Sequence, residues 1–423
     1  MINKLRPKSE FRRNILTLMM GTTIAQSIPI AISPILTRIY TPEDFGVFAL
    51  YMAIAAILSV IATGRYEMAI MLPKKDEDAI NIVALSLIIS FFVSFISFVI
   101  VFVFNVQITN VLKNPEISNW LYFIPITVLL TGIYQSFNYW SNRKKEYKRL
   151  AISKVVQSSS SATVNLGMGF NGFGSSGLIL GGVFGQSIAT AFLIKMVWKI
   201  DKSKMEYIKK IKIFALLKKY IKQPKYALPT TLLDTISLKI PTLAISSLYQ
   251  SLTLVGHYML VERMLSVPAG LIGGAIGQNF YQEFSNRINS NKKESAKLLL
   301  LKVWTLLFAI GIVPTILIFF YAEELFSFLF GENWKEAGVI AAVLVWMYLF
   351  SFISSPTSGA YLVLGLQNIG FYFGVAQLIG KVISVSVLVM SNNILLFFYS
   401  LAGIEIFLIF LYNIVILNKI YKK

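Results

Sequence analysis

Ile80-Asn-Ile-Val-Ala-Leu-Ser-Leu-Ile-Ile-Ser-Phe-Phe-Val-Ser-Phe-Ile-Ser-Phe-Val-Ile-Val-Phe-Val-Phe104 carries no charged side chain over 25 residues. Wound as a helix it would be roughly 37 Å long, enough to cross about 30 Å of hydrocarbon. Lys74-Lys75-Asp76-Glu77-Asp78 stand before it and Lys113 after it, so charge returns where water would begin. Runs of this kind recur along the chain, and twelve candidate spans result, at approximately 14 to 37, 45 to 64, 80 to 104, 119 to 140, 150 to 170, 177 to 198, 227 to 248, 254 to 281, 298 to 321, 337 to 364, 369 to 390 and 394 to 417. The implied fold class is an all-α polytopic membrane protein with about 12 transmembrane helices. Composition agrees, because 423 residues at 56% hydrophobic and 14% charged leave little for an extramembrane domain and exclude a soluble multidomain enzyme. Pro29, Pro34, Pro125, Pro241, Pro268, Pro314 and Pro356 lie within spans and predict bent helices.

A formal charge of +19 would suggest nucleic acid in a soluble protein, but here the cations cluster between apolar runs. Thirty Lys and Arg fall in alternate segments on one side: five in the N-terminus, Lys74 and Lys75, five from Arg143 to Arg149, ten from Lys199 to Lys225, five from Arg287 to Lys302, and Lys419, Lys422 and Lys423. Only Arg38, Lys113 and Lys335 fall on the other. The positive-inside rule then puts both termini of a multi-pass membrane protein in the cytoplasm, with no nucleic-acid partner. The basic N-terminus followed by Ile15 to Ile24 mimics a signal peptide, but the apolar run continues to Leu36 and reads as an uncleaved first helix. Absence of cysteine removes disulfides, thiolate metal sites and cysteine nucleophiles, and the one histidine, His257, offers no metal pair. No cofactor is expected.

The longest cytoplasmic loop divides the chain into an N-lobe at 1–200, a basic amphipathic linker at 201–226 and a C-lobe at 227–423. Within the linker Ile208, Ile211, Phe214, Leu217 and Ile221 recur at helical spacing against Lys209, Lys210, Lys212, Lys218, Lys219 and Lys222, as in a helix lying on an anionic leaflet. Pro34-Ile35-Leu36 followed by Phe45 to Leu50 is echoed by Pro241-Thr242-Leu243 followed by Val255 to Leu260, with three residues inserted. Two six-helix bundles facing the same way, with a central cavity between them, are a transporter architecture.

Charge at mid-membrane is expensive and marks a cavity or a partner. Lys239, Glu262, Arg263, Lys381 and Glu405 fall roughly 13 to 18 Å from the nearer ends of their spans, and Asp234 about a turn and a half shallower than Lys239. All six lie in the second half; at depth the first half offers Gln26, Gln135, Asn138, Asn165 and Gln186 instead. In one arrangement Lys239, Arg263 and Lys381 form a cationic wall for a phosphate or pyrophosphate head group, with Arg38, Arg65 and Lys154 as further substrate-binding candidates. Glu262, Glu405 or Asp234 would then take the coupling cation or proton. In the other, these groups are buried ion pairs that fix helices, Lys239 with Asp234 or Lys381 with Glu405, while Arg65 and Lys154 snorkel to the interface. His257, at the external end of its span, reads as an interfacial histidine, with pH sensing the sharper alternative. Gly177, Gly181 and Gly185, and Gly270 and Gly274, have the four-residue spacing of close helix packing. Gly374 to Lys381 lacks the residues of a phosphate loop and lies in a span.

Pro34-Ile-Leu-Thr-Arg-Ile-Tyr-Thr-Pro-Glu-Asp-Phe-Gly-Val-Phe-Ala-Leu50 and Arg65-Tyr-Glu-Met-Ala-Ile-Met-Leu-Pro-Lys-Lys-Asp-Glu-Asp78 closely resemble the opening of bacterial polysaccharide flippases of the O-antigen and capsule type. The likeness continues through Asn142-Arg-Lys-Lys-Glu-Tyr147, Lys225-Tyr-Ala-Leu-Pro229, Val267 to Tyr281 and Phe330-Gly-Glu-Asn-Trp334, and so covers nearly the whole chain. The resemblance implies membership of the multidrug/oligosaccharidyl-lipid/polysaccharide exporter superfamily, with two six-helix lobes that alternate their opening. The implied substrate is an undecaprenyl-pyrophosphate-linked oligosaccharide, moved from the inner to the outer leaflet for surface polysaccharide such as lipopolysaccharide O-antigen or capsule. Membrane lipid and other polysaccharide assembly proteins are the further candidate partners. Arg38, Glu43, Asp44, Arg65 and Glu67 match family motifs without bringing established roles. No covalent chemistry is implied. Rival expectations are a drug exporter of the same fold, which needs no midplane Lys or Arg, and a polysaccharide polymerase or ligase, which needs an external catalytic loop longer than any here.

Overall fold

The longest apolar run folds with its polar residues inward. In the computed structural model, which describes residues 10 to 422, the helix α3 (Asp76–Leu112) buries Ser86, Ser90, Ser94 and Ser97 and exposes Phe91, Phe92, Phe95 and Phe102. In water this arrangement would be upside down. In a bilayer it is favourable, since lipid solvates the phenylalanines while small hydroxyls let helices approach and find acceptors. Ser94 Oγ donates to the Pro125 carbonyl at 2.8 Å, and Ser90 Oγ to Ser86 O one turn back at 2.8 Å. The protein is thus a multi-pass membrane protein, all-α among the described residues. Lys4, Arg6, Lys8 and Lys423 of the terminal basic clusters lie outside those residues.

In chain order, α3 is preceded by α1 (Glu10–Ile39) and α2 (Pro42–Ile61), and followed by α4 (Ile117–Leu121), α5 (Ile124–Arg143), α6 (Tyr147–Phe170), α7 (Ser175–Met205) and α8 (Lys210–Lys219). Then come α9 (Leu228–Ala244), α10 (Leu252–Asn289), α11 (Lys293–Phe330), α12 (Lys335–Ser354), the short α13 (Ala360–Val363), α14 (Gln367–Ser391) and α15 (Ile394–Lys422). Twelve of these coincide with the twelve expected spans. Among the described residues nine helical segments are long and apolar enough to cross a membrane, and ten when the bent α10 is counted. The other two are α6, whose sequence holds Lys154, Gln157, four consecutive serines and Asn165, and the 17-residue α9 with Asp234 and Lys239. Prolines mark only some of the breaks: Pro356 sits in a 3₁₀ turn (Ser355–Thr357) after α12, and a π-helical turn (Ile245–Tyr249) follows Pro241. Pro29, Pro34 and Pro314 lie inside helices, the non-helical residue of α11 is Tyr321, and α10 bends by 46° between Gly274 and Asn279, beyond Pro268.

Two compact units form, Met1–Ile236 and Ser237–Lys423, with the boundary inside α9. In the first, α6 packs on α1 and α7, and α3 on α5 and α8. Its interior is built from Tyr66, Ile70, Ile80, Val83, Phe137, Trp140 and Val197, and the linker residues Ile213 and Leu216 join that core. In the second, α12 packs against α10, α11 and α15, and α14 against α15. Leu307, Leu349, Phe352 and Ile353 form one of its cores, Phe280, Phe284, Leu300 and Ile416 another.

Glycines seat α7 on α6. A Cβ added to Gly185 would sit 2.7 Å from the Gln157 carbonyl, and one on Gly181 or Gly177 would run into Asn165 or the Tyr40 hydroxyl. The packing expected for Gly270 and Gly274 is not found, because both face open space, whereas Gly273 and Gly277 meet Pro356. Four-residue spacing selects one helix stripe, but two such stripes exist in Gly270-Leu-Ile-Gly-Gly-Ala-Ile-Gly277, and the packed one cannot be told from spacing.

Candidate functional site

Depth explains which charges meet in the second unit. Lys239 lies ten residues before the end of the turn that closes α9, Glu262 ten after the start of α10, Lys381 ten before the end of α14, and Glu405 eleven after the start of α15. At 1.5 Å per residue, all four stand about 15 to 16 Å from one end of the bundle. They resolve into two pairs.

The Lys381 and Glu405 pair is closed. Lys381 Nζ lies 3.1 Å from Glu405 Oε1, and the two side chains are only 11% and 10% exposed. Gln377, one turn before Lys381 on the same face of α14, donates to the second carboxylate oxygen at 3.0 Å. Lys381 also donates to Ser237 Oγ at 3.2 Å, tying α9 to α14. Both charges are therefore neutralised and hydrogen-bonded, the condition for ionised groups to persist in an apolar medium.

The other pair is open. Lys239 Nζ and Glu262 Oε1 are 3.7 Å apart, with 26% and 30% of their side chains exposed. The sequence-based alternative paired Lys239 with Asp234 instead. Five residues along a helix turn a side chain by about 140°, so the two point apart, and Asp234 is exposed. Arg263, next to Glu262 on α10, is half-buried and has neither ion pair nor hydrogen bond among the described residues. Tyr258 and Tyr348 stand within electrostatic range of both Glu262 and Glu405. Two lysines face two carboxylates here. Arg263, one residue beyond Glu262 and so about 100° round α10 from it, adds a positive charge with no carboxylate paired to it among the described residues.

The remaining predicted residues lie in the first unit and do not form one site there. Lys154 Nζ donates to Thr22 Oγ1 at 3.0 Å across α6 and α1. Arg38 is exposed at the end of α1 and donates to the Pro34 carbonyl at 2.8 Å. Arg65 pairs with the buried Glu67 at 3.2 Å, and Thr63 Oγ1 donates to the same carboxylate. Arg65 adopts φ 62°, a left-handed conformation that turns the chain into the 3₁₀ turn at Tyr66–Met71. Of the uncharged groups expected at depth, Gln186 accepts from Gln157 and donates to Thr190.

Sequence reasoning missed the ion-pair fastenings among the basic clusters. Arg143 binds Asp76 at 2.9 Å and the carbonyls of Ile70 and Pro73, with Lys144 on the other Asp76 oxygen. Arg149 and Trp140 converge on the buried Asp201 at 3.2 and 3.1 Å. Only the three-dimensional contact reveals these, although each residue lies in a visible basic cluster. His257 is 1% exposed and donates through Nε2 to the Asn333 carbonyl at 3.0 Å, beside the Trp334 ring. It thereby fixes the start of α10 to the turn before α12. No group of three or more His, Cys, Asp or Glu that could hold a metal occurs among the described residues.

A family model described as "Polysaccharide biosynthesis protein" matches residues 35–339. No curated protein matches the chain. Among solved structures, the fold is similar to a multidrug resistance MATE family transporter of the MOP superfamily in an inward-facing conformation, at TM-score 0.67 and 14% identity over 96% of both chains. It is similar to the lipid II flippase MurJ, at TM-score 0.68 and 13% identity over 95% of this chain and 87% of that one. A third similar structure is a MOP superfamily transporter from Pyrococcus furiosus, at TM-score 0.63 and 13% identity, covering 97% and 96% of the two chains.

Proposed function

Because the chain belongs to the polysaccharide biosynthesis protein family and has the fold of MOP-superfamily transporters, we propose that it is a flippase for lipid-linked oligosaccharide. The substrate is an oligosaccharide on undecaprenyl pyrophosphate, carried from the inner to the outer leaflet of the plasma membrane, with both termini of the protein cytoplasmic. The observation that carries this proposal is the weakly held deep charge: Lys239 meets Glu262 only at 3.7 Å with both side chains partly exposed, and Arg263 has no ion pair among the described residues, whereas Lys381 is closed onto Glu405. A pyrophosphate leaving water needs charge-assisted donors, and Lys239 and Arg263 supply them. Lys381 and Glu405 act as the fixed support, and Glu262 as the coupling group. Taking up a proton or a cation at Glu262 weakens its hold on Lys239 and frees that ammonium for phosphate; losing it restores the pair and releases the head group. Access to the site alternates between the two faces of the membrane while the polyprenyl tail remains in lipid. No bond is made or broken.

The test is a trans-leaflet assay with the purified protein in vesicles containing a fluorescent undecaprenyl-pyrophosphate oligosaccharide. The expected result is protein-dependent movement, lost in Arg263→Ala and in Lys239→Ala. Transport of organic cations with no movement of the sugar lipid would assign the protein to drug export instead. Formation of longer glycans by the purified protein would assign it to polymerisation.

A further inference from the structure

The linker helix α8 has two faces, and among the described residues only one of them packs within the protein. Its inner face buries Ile213 and Leu216 in the core of the first unit. Around that contact, Lys212 lies 3.4 Å from Glu77 and 3.7 Å from Asp78, and the Leu217 carbonyl accepts from Tyr66 Oη at 3.0 Å. Asn81 closes the approach, donating to Tyr207 O at 2.8 Å and accepting from Lys209 N at 2.8 Å. The five apolar residues that the sequence places on one stripe are therefore divided, Leu217 turning inward with Ile213 and Leu216.

The outer face is left with Ile211, 84% exposed, and Phe214, 66% exposed. Lys210, Phe214 and Lys218 follow one another at i, i+4 spacing, and Lys218 lies two turns from Ile211, so exposed ammonium groups flank both apolar side chains. Two large apolar residues among lysines are unfavourable in bulk water. At a membrane surface they are favourable, with the rings and branches below the headgroups and the ammonium groups snorkelling to them. The helix also sits at the charged end of α3, on the side that holds thirty of the 39 Lys and Arg.

We infer that α8 is a lipid-docking strap: its outer face binds anionic phospholipid headgroups of the inner leaflet through Lys210 and Lys218 with Ile211 and Phe214 as anchors, while its inner face clamps the helix to α3. Charge complementarity selects this occupant over a zwitterionic surface, since each lysine near an anionic leaflet strengthens binding about fivefold. This strap holds whatever the transported substrate is, and it makes the linker a fixed part of the first unit rather than a free tether.

The chain has no cysteine, so a single spin label can be placed at Phe214→Cys in the full-length protein. Collision with oxygen, which partitions into lipid, is compared with collision with a neutral aqueous nickel chelate, in nanodiscs of phosphatidylglycerol and in nanodiscs of phosphatidylcholine. The oxygen-to-nickel ratio is expected to be at least about fivefold higher in the anionic discs. Lys210→Gln with Lys218→Gln should return it to the neutral-disc value, and a label at the exposed Phe173, outside α8, should show no lipid dependence. Equal ratios in the two lipids, or no effect of removing both charges, would overturn the proposal. Protection that requires two chains per disc would overturn it too, since the occupant would then be a second copy.

Discussion

Lys381 and Lys239 show how two residues of one type, at one depth, come to different ends. Lys381 is enclosed by a carboxylate, a hydroxyl and a neighbouring glutamine that completes the carboxylate. Removing one member leaves a buried charge without its partner, at a cost of about 3 to 5 kcal/mol, whereas replacing both by apolar residues of similar volume is close to neutral. Lys381→Met alone should therefore lower the melting temperature in detergent markedly, and Lys381→Met with Glu405→Leu should recover most of it. Arg263 has no ion pair among the described residues, so Arg263→Ala should change the melting temperature little while abolishing sugar-lipid movement. A large loss of stability in that variant would mean that Arg263 holds the fold. At this scale the sequence revealed which charges lie deep but not how they pair, because depth is a count along one helix and pairing is a relation between two. The Thr41-Pro-Glu-Asp44 motif, which the resemblance marks without assigning a role, caps a helix: the Thr41 and Asp44 side chains each bind the other's backbone N–H and start α2. Thr41→Ala should cost about 1 kcal/mol, as loss of an N-cap does, measurable in the same thermal assay.

Among elements, the spans were legible because an unbroken run of about twenty apolar residues matches the thickness of the hydrocarbon core and suits little else. The polar helices α6 and α9 were legible only by their place between clearer ones. The insertion in the second copy of the repeat falls in the stretch that holds the π-helical turn Ile245–Tyr249 and Gln250, whose φ is 57°. Helix contact obeys a tighter rule than helix existence. At Gly185 the α6 backbone is so close that a leucine must force α6 and α7 apart, which costs about 1 to 3 kcal/mol or more. Gly185→Leu should lower the melting temperature, and Gly274→Leu, which enters open space, should leave it nearly unchanged. The opposite order would show that the second glycine stripe of α10 is the packed one.

At the scale of the whole molecule, the chain devotes nearly all its length to spanning helices and carries its unbalanced deep charge in one unit. The first unit answers with uncharged polar groups; Arg38 and Arg65 are fastened at helix ends, and Lys154, about two turns into α6, is bound to Thr22 in the middle of α1. A protein that moves a charged head while its tail stays in lipid has use for such concentration, since every cation at depth must be held there at a cost. The most direct measurement compares two substrates with the same glycan and the same polyprenyl chain, one joined by pyrophosphate and one by an uncharged ether, in the trans-leaflet assay. The pyrophosphate-linked lipid should cross many times faster than the ether, and Arg263→Ala should abolish that preference. Equal rates for the two lipids, or a preference that survives Arg263→Ala together with Lys239→Ala, would contradict an anion-binding role for the deep cations.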